Sequence, residues 1–324
     1  MKNKLIHSFI FLLLFIVLDR SIGAFLEVPK EVLIKDMKYD PYWRWKEFKQ
    51  QPEGSLDLIF LGSSHCYRSF NPVIFDESLG LRTMNMGSSA QTPLTSYYVL
   101  QEILQKQKPK YLVLELYWIT FGLEDQLANA IYNFQYMSWG RNKIDFFLHA
   151  YKLEDIVTLL MPSFYYKKNL ENAIHHFQGK NVSWASGDHY VGKGYLSNPN
   201  VTSTEELLKT NQFKNFVFDK KKILPVHLRY LEKIVQLCQE HGIRLIFVTS
   251  PLPPTSLAMI KDYHKIHDYF MAIAQKNNIP YIDYNVADYK INLPDDDFKD
   301  DDHLNSKGVV LFDRDFADRL LGLL

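Results

Sequence analysis

The segment Leu58-Ile59-Phe60-Leu61 contains no polar residue and ends at Gly62-Ser63-Ser64. A short, wholly apolar run bounded by glycine reads as a strand buried on both faces, as in a parallel sheet. The chain then opens a helix at Asn71-Pro72, an N-cap residue followed by proline at the first helical position. A strand passing to a helix through Gly-Ser-Ser sets hydroxyls at the carboxyl edge of a sheet, where open α/β folds bind their ligands. The rest of the sequence can be read as what such a serine requires.

The same alternation recurs. The helix opened at Asn71 stops at Gly80, and Thr83–Met86 reads as a second strand ending at Gly87. Thr92-Pro93 starts a helix that runs to about Gln107, and Tyr111–Tyr117 is a third strand. Order fails from about 119 to 223, where candidate helices at 125–137, 143–160 and 165–176 precede a glycine-rich stretch, Gly187–Tyr195. It returns at Leu224-Pro225 with a helix to His241, a strand at Arg244–Thr249, a helix to about Asn277 and a strand at 280–283. A last helix spans about 306–323. Strands alternating with helices imply right-handed βαβ units. The expectation is a three-layer α/β/α sandwich with a five-stranded parallel, flavodoxin-like sheet and a large helical insertion over its carboxyl edge. Residues 27–55 read as a linker and an outer helix.

At the N-terminus, Lys2 and Lys4 precede the apolar run Ser8–Leu18, followed by Asp19-Arg20 and a further apolar segment to Leu26. Basic residues before an apolar run read as an export signal. Residues 1–26 are expected to be a membrane anchor, the alternative being a signal segment cleaved after Gly23 or Ala24. Either way the domain at 27–324 would work outside the cytoplasmic membrane. Lys plus Arg equals Asp plus Glu, at 37 each, so no basic excess points to nucleic acid. Cys66 and Cys238 form no metal-ligand pattern. His175-His176 and His189 show no ligand spacing either, so no metal and no cofactor is expected.

The chemistry-bearing residues lie at opposite ends of the chain. Gly62-Ser63-Ser64 follows the first strand, and Asp300-Asp301-Asp302-His303 precedes the last helix. In a doubly wound sheet both loops open on the same edge. Serine is a weak nucleophile until an imidazole takes its proton, and the imidazole needs a carboxylate to fix its tautomer. Asp300, three residues before His303, is placed to turn back onto the ring. These residues alone leave either Ser63 or Ser64 as the nucleophile.

The pattern resembles the SGNH (GDSL-like) hydrolase superfamily. Gly62-Ser63-Ser64 matches its Gly-Asp-Ser block, Gly87 in Asn85-Met86-Gly87 its second-block glycine, and Asp300–His303 its Asp-x-x-His block. The resemblance implies Ser64 as nucleophile, His303 as base, Asp300 as its partner, and the Ser64 and Gly87 N–H groups as the oxyanion hole. Two departures stand out. Ser63 replaces the usual aspartate, and the Gly-x-Asn-Asp third block is absent, because strand three ends Glu115-Leu116-Tyr117-Trp118. Both, with the N-terminal anchor, resemble the divergent branch containing the lipoteichoic acid D-alanyl transfer and alginate O-acetylation proteins. That likeness implies acyl transfer to a cell-surface polysaccharide or other glycan, beside a polytopic membrane-bound O-acyltransferase. The alternative it leaves open is a catalytically weak domain that binds polysaccharide or that partner. Residues expected to touch substrate are His65 beside the nucleophile, Arg68, which is suited to an anion or to a carboxylate of the last loop, and His189 and Tyr195. Asp188 and Lys193 share the glycine-rich stretch as lining of a sugar cleft. Asn181-Val182-Ser183 and Asn200-Val201-Thr202 match the glycosylation pattern.

Overall fold

The computed structural model describes residues 2–26, 40–124, 127–153, 155, 161, 163, 170–179 and 187–324. Along the chain, α1 (Lys2–Leu26) is followed by α2 (Asp40–Gln50), β1 (Leu58–Leu61), α3 (Ser64–Ser69), α4 (Pro72–Leu79), β2 (Thr83–Asn85), α5 (Pro93–Leu104) and β3 (Tyr111–Glu115). Then come α6 (Leu127–Phe134), α7 (Arg141–Ala150), α8 (Leu170–Phe177), β4 (His189–Gly192), β5 (Tyr195–Ser197), α9 (Thr204–Thr210) and β6 (Phe216–Val217). The last third holds α10 (Pro225–Glu240), β7 (Arg244–Thr249), α11 (Pro254–Met259), β8 (Ile260–Lys261), α12 (His264–Lys276), β9 (Tyr281–Asp283) and α13 (Ser306–Leu321).

The main sheet has the order β2-β1-β3-β7-β9, with every pairing parallel. This is the doubly wound, flavodoxin-like order, and its switch point falls between β1 and β3. Strand side chains alternate between faces. Leu58, Phe60, Val113, Ile246, Val248 and Ile282 point to one side, where they pack with Phe70, Phe75, Phe312 and Phe316 of the helical layer. Ile59, Leu61, Leu112, Leu114 and Phe247 are also buried, on the side of α5 and α10. The fold class expected from sequence is thus the one observed, a parallel five-stranded sheet between helical layers.

Several local expectations differ from the structure. Ser63 and Ser64 do not lie in an open loop. Ser63 caps α3, a short helix that begins at Ser64. The helix expected from about 254 to 277 is broken into α11 and α12, and β8 between them pairs with β6. The insertion is not wholly helical, because the glycine-rich stretch folds into the antiparallel β4–β5 hairpin. The helix expected within 27–55 is α2, but it does not lie wholly outside the core. Arg44 and Trp45 of α2 are fully buried, and Trp45 Nε1 donates to Asn133 Oδ1 at 3.1 Å. Of the expected helix at 165–176, residues 165–169 lie outside the described residues, as does the Asn181-Val182-Ser183 site.

The chain divides into two compact units. Unit 1 holds residues 1–39 and 151–186, so part of the insertion groups with the N-terminal segment. Within it, α1 is long and apolar enough to cross a membrane, with mean hydropathy 2.2 over Lys4–Leu26. Phe25 stacks on Phe177 of α8 at 4.8 Å, and Asp19 accepts hydrogen bonds from the Ser163 N–H and hydroxyl. Unit 2 holds the sheet and all residues of the site described below.

Within unit 2 the β4–β5 turn seats on the free edge of β2. The Asn85 N–H donates to the Lys193 carbonyl at 2.9 Å, and Glu47 Oε2 accepts from the Lys193 N–H and the Tyr190 hydroxyl. Gly194 has φ +88, and a Cβ there would sit 1.9 Å from the Asn85 carbonyl oxygen. Only glycine permits both the backbone conformation and this approach. Gly194→Ala is therefore expected to destabilise the protein by more than about 2 kcal/mol, read as a lower urea midpoint of the full-length chain in detergent.

Candidate active site

β1 brings Gly62 against Glu115 at the end of β3. A Cβ on Gly62 would lie 2.7 Å from both Cβ and Oε2 of Glu115, so the approach itself demands glycine. Glu115 Oε2 then accepts from the Ser63 N–H at 2.8 Å and from its hydroxyl at 2.7 Å. Ser63 Oγ in turn accepts from the His65 N–H at 3.2 Å, which caps α3. Burial raises the pKa of Glu115, and the two Ser63 bonds act in the opposite direction. Ser63 is 1% exposed and faces inward. The half-buried Ser64 is the residue that the turn presents.

The partner loop is fixed just as locally. Asn305 caps α13 by accepting from the Lys307 and Gly308 N–H groups, each at 3.0 Å, and donates to the Asp296 carbonyl at 2.8 Å. Asp300 Oδ1 accepts from the N–H groups of Asp302 at 3.1 Å and His303 at 2.8 Å. The turn closed in this way delivers the imidazole. His303 Nε2 lies 2.8 Å from Ser64 Oγ, and His303 Nδ1 lies 3.0 and 3.1 Å from the two Asp300 oxygens. Asp302 Oδ1 approaches the same Nδ1 to 2.6 Å.

Burial by itself would lower the pKa of His303. The charge of Asp302 and the hydrogen bond with Asp300 override it and push the value up to about 9. The same pairing holds Asp300 at about 2 against its own desolvation. Asp302, more deeply buried, is held well below the ordinary carboxylate range by His303 and His65. The raised His303 contributes stability in full below its ordinary 6.5, and this is lost as pH passes about 9.

Other sequence-selected residues sit elsewhere. His65 does not face substrate: it is 2% exposed, with its ring 4.0 Å from Tyr117 and 4.9 Å from His303. As the second residue of α3 it points under the serine. Arg68 pairs with Asp188 rather than with a carboxylate of the last loop. Its guanidinium forks onto both Asp188 oxygens at 2.7 and 2.8 Å, and the pair holds Asp188 low although burial opposes it. Lys193 pairs with Asp76. Tyr195 is 3% exposed in the core beside Phe60 and Phe70, so it lines no sugar cleft. His189 is exposed on β4.

The oxyanion expectation also needs correction. The Gly87 N–H is engaged, donating to Asn85 Oδ1 at 3.0 Å. Gly87 is required for another reason, since a Cβ there would meet Cys66 Cβ at 2.7 Å. Behind it Arg44 donates to the Gly87 carbonyl, and Asn133 joins Ser88 at 2.8 Å and Gln91 at 3.0 Å in a buried network. The Ser64 N–H, in the first turn of α3, is a donor of the kind a helix leaves without an internal acceptor. Cys66 is buried with its thiol pKa driven well up, which removes it as a nucleophile.

Sequence reading missed Asp302, Tyr117 and Glu115. The Tyr117 hydroxyl donates to Asp302 Oδ2 at 2.9 Å, and His65 Nε2 lies 3.4 Å from the same oxygen. A usable signal existed, because Glu115 and Tyr117 end a strand at the edge that carries Ser64. His65, Asp302 and His303 bring ligand-type atoms within 4.8 Å of one another. Asp302 and His303 engage each other at 2.6 Å and His65 Nε2 approaches Asp302 only to 3.4 Å, so the cluster reads as the surroundings of the imidazole.

Comparisons with known proteins add the following. A protein-family model that carries no description matches residues 188–324. No curated protein matches the chain. Among solved structures, a protein assigned as lipolytic in the G-D-S-L family from Desulfitobacterium hafniense is 10% identical, with TM-score 0.39, covering 81% of this chain and 98% of its own. A protein assigned as an acylhydrolase from Bacteroides fragilis is 13% identical, with TM-score 0.39, covering 86% and 94%. A GDSL-like lipase from Bacteroides thetaiotaomicron is 12% identical, with TM-score 0.41, covering 88% and 98%.

The two adjacent hydroxyls therefore differ in environment. Ser63→Ala removes the hydroxyl's bond to the buried Glu115 carboxylate and the acceptor that caps the His65 N–H, and is expected to cost about 1–3 kcal/mol of stability. The variant should still react at Ser64 with a fluorophosphonate probe, which gel fluorescence would score alongside its unfolding midpoint.

Proposed function

We propose that this protein is an SGNH-type serine acyl-transfer enzyme, anchored by α1 with its α/β domain outside the cytoplasmic membrane. The observation that carries the reading is the 2.8 Å contact of Ser64 Oγ with His303 Nε2, while Nδ1 of the same ring rests on carboxylates. In the forward step Ser64 Oγ bonds to the carbonyl carbon of a small acyl ester, and His303 Nε2 takes the hydroxyl proton. The tetrahedral oxyanion forms near the Ser64 N–H. Collapse breaks the ester C–O bond, and His303 returns the proton to the departing alcohol, leaving an acyl-Ser64. A glycan hydroxyl, or water, then attacks by the reverse sequence. The acceptor proposed is a cell-surface polysaccharide, and the partner a polytopic membrane-bound O-acyltransferase. Domain limits follow the sequence expectation, an anchor at 1–26 and the α/β domain with its insertion at 27–324.

One observation favours a second reading. With the Gly87 N–H committed to Asn85 and the third-block asparagine absent, oxyanion donors are few. That suits a catalytically weak domain which binds glycan or docks on the membrane acyltransferase.

Labelling by a fluorophosphonate separates the two. Wild type is expected to label, with Ser64→Ala unlabelled and His303→Ala slowed by at least about a thousandfold. Equal, negligible labelling of wild type and Ser64→Ala would remove the enzymatic reading. Because His303 must be neutral to act as base and its pKa is pushed up to about 9, the labelling rate should climb with pH, reach half its plateau near pH 9 and level off above it. A plateau already reached at pH 7 would contradict the paired-carboxylate environment.

A further inference from the structure

His303 is unusual in meeting two carboxylates at one ring nitrogen, and the two are held in different ways. Asp300 is partly exposed, at 34% of its side chain, and is tied to its own turn through the Asp302 and His303 N–H groups and to the adjacent Lys299. It also takes the hydrogen bond from His303 Nδ1, at 3.0 and 3.1 Å. Asp302 is 6% exposed and is tied to distant parts of the chain. Its Oδ2 accepts from the Tyr117 hydroxyl, just past β3, and faces His65 Nε2 of α3 at 3.4 Å. Nε2 of His65 is buried with no hydrogen-bond partner among the described residues. Asp302 Oδ1 is then left 2.6 Å from His303 Nδ1.

We infer that Asp302 is a second acid of this site, a positioning residue held by Tyr117 and His65, and that it stabilises the His303 imidazolium while Asp300 orients the ring. The inference rests on the acyl-transfer reading above. Its physical basis is depth: a buried charge acts through a low dielectric, whereas a partly exposed one beside a lysine is screened. The arrangement also joins base to nucleophile, because His65 belongs to the helix that Ser64 begins. The charged or titratable groups around His303 are Asp300, Asp302 and Lys299 of its own loop, His65 of α3, and Glu115 and Tyr117 at the end of β3. Two anions on one imidazole make it a stronger base but leave less of it neutral at pH 7.

The division of labour predicts a crossover. In full-length protein in detergent, Asp302→Asn should lower the plateau labelling rate by about 10- to 100-fold. It should also move the acid limb of the pH profile down by at least about one pH unit. Asp300→Asn should cost more at the plateau, about a thousandfold, through loss of ring orientation. Tyr117→Phe, nearly isosteric, should shift the limb in the same direction as Asp302→Asn by a smaller amount, and it carries the test if Asp302→Asn fails to fold. A second arm needs no turnover. NMR titration of the His303 ring protons, assigned with His303→Gln, should give a midpoint near 9 in wild type. The midpoint should fall by at least about one unit in Asp302→Asn. A wild type that never labels would end the acyl-transfer reading and leave this arm to decide the role of Asp302. An unmoved midpoint in Asp302→Asn, or in Tyr117→Phe where that variant carries the test, overturns the inference.

Discussion

The contact between Ser64 and His303 joins residues 239 positions apart at 2.8 Å. Nothing local in the chain holds them together. Their meeting depends on the parallel sheet, which places the loop after β1 and the loop before α13 on one edge. The order β2-β1-β3-β7-β9 opens a crevice where the winding reverses, between β1 and β3. Ser63, Ser64, Glu115 and Tyr117 all sit at that crevice. The aromatic layer of Phe70, Phe75, Phe312 and Phe316 clamps α4 and α13 to the same face of the sheet. A shift of α13 would move the imidazole as a unit with its loop.

The buried carboxylates divide their roles by what surrounds them. Glu115 binds no imidazole. It anchors the turn before the nucleophile by taking both Ser63 donors, and Gly62 leaves it room to do so. An aspartate in place of Ser63 would put a second buried carboxylate of like charge beside Glu115. Asp300 and Asp302 instead neutralise His303, each held low by the ring they share. Cys66 and Tyr195, conspicuous in sequence because of their neighbours, are packing residues.

The insertion is the part that a regular α/β plan does not require. Its β4–β5 hairpin belongs to unit 2 and is fastened there by Arg68–Asp188, by Glu47 and by the close passage of Gly194 over Asn85. These are tertiary fastenings, made to α2, α3 and β2. They convert residues that resemble a ligand-binding set into structural ties. Ser306 donates to the Asn198 carbonyl at 2.8 Å and Thr202 to that of Phe298 at 2.9 Å, so the same segment also braces the loop that carries His303.

By itself the sequence determined the strands and most helices of the sheet, because apolar runs, glycine stops and Asn71-Pro72 or Thr92-Pro93 starts act over a few residues. It also pointed to the Ser63-Ser64 pair, Asp300 and His303, since topology alone sends both loops to one edge. Only the tertiary structure decided which serine faces the imidazole, because that depends on Glu115 capturing Ser63 from another strand. It alone brought Asp302, Tyr117 and His65 together, since each belongs to a different element and no local pattern pairs them. It also showed that Gly87 is required by its contact with Cys66 and that its N–H donates to Asn85. Short-range pattern specifies where the chain turns, and long-range packing specifies which polar atoms remain available.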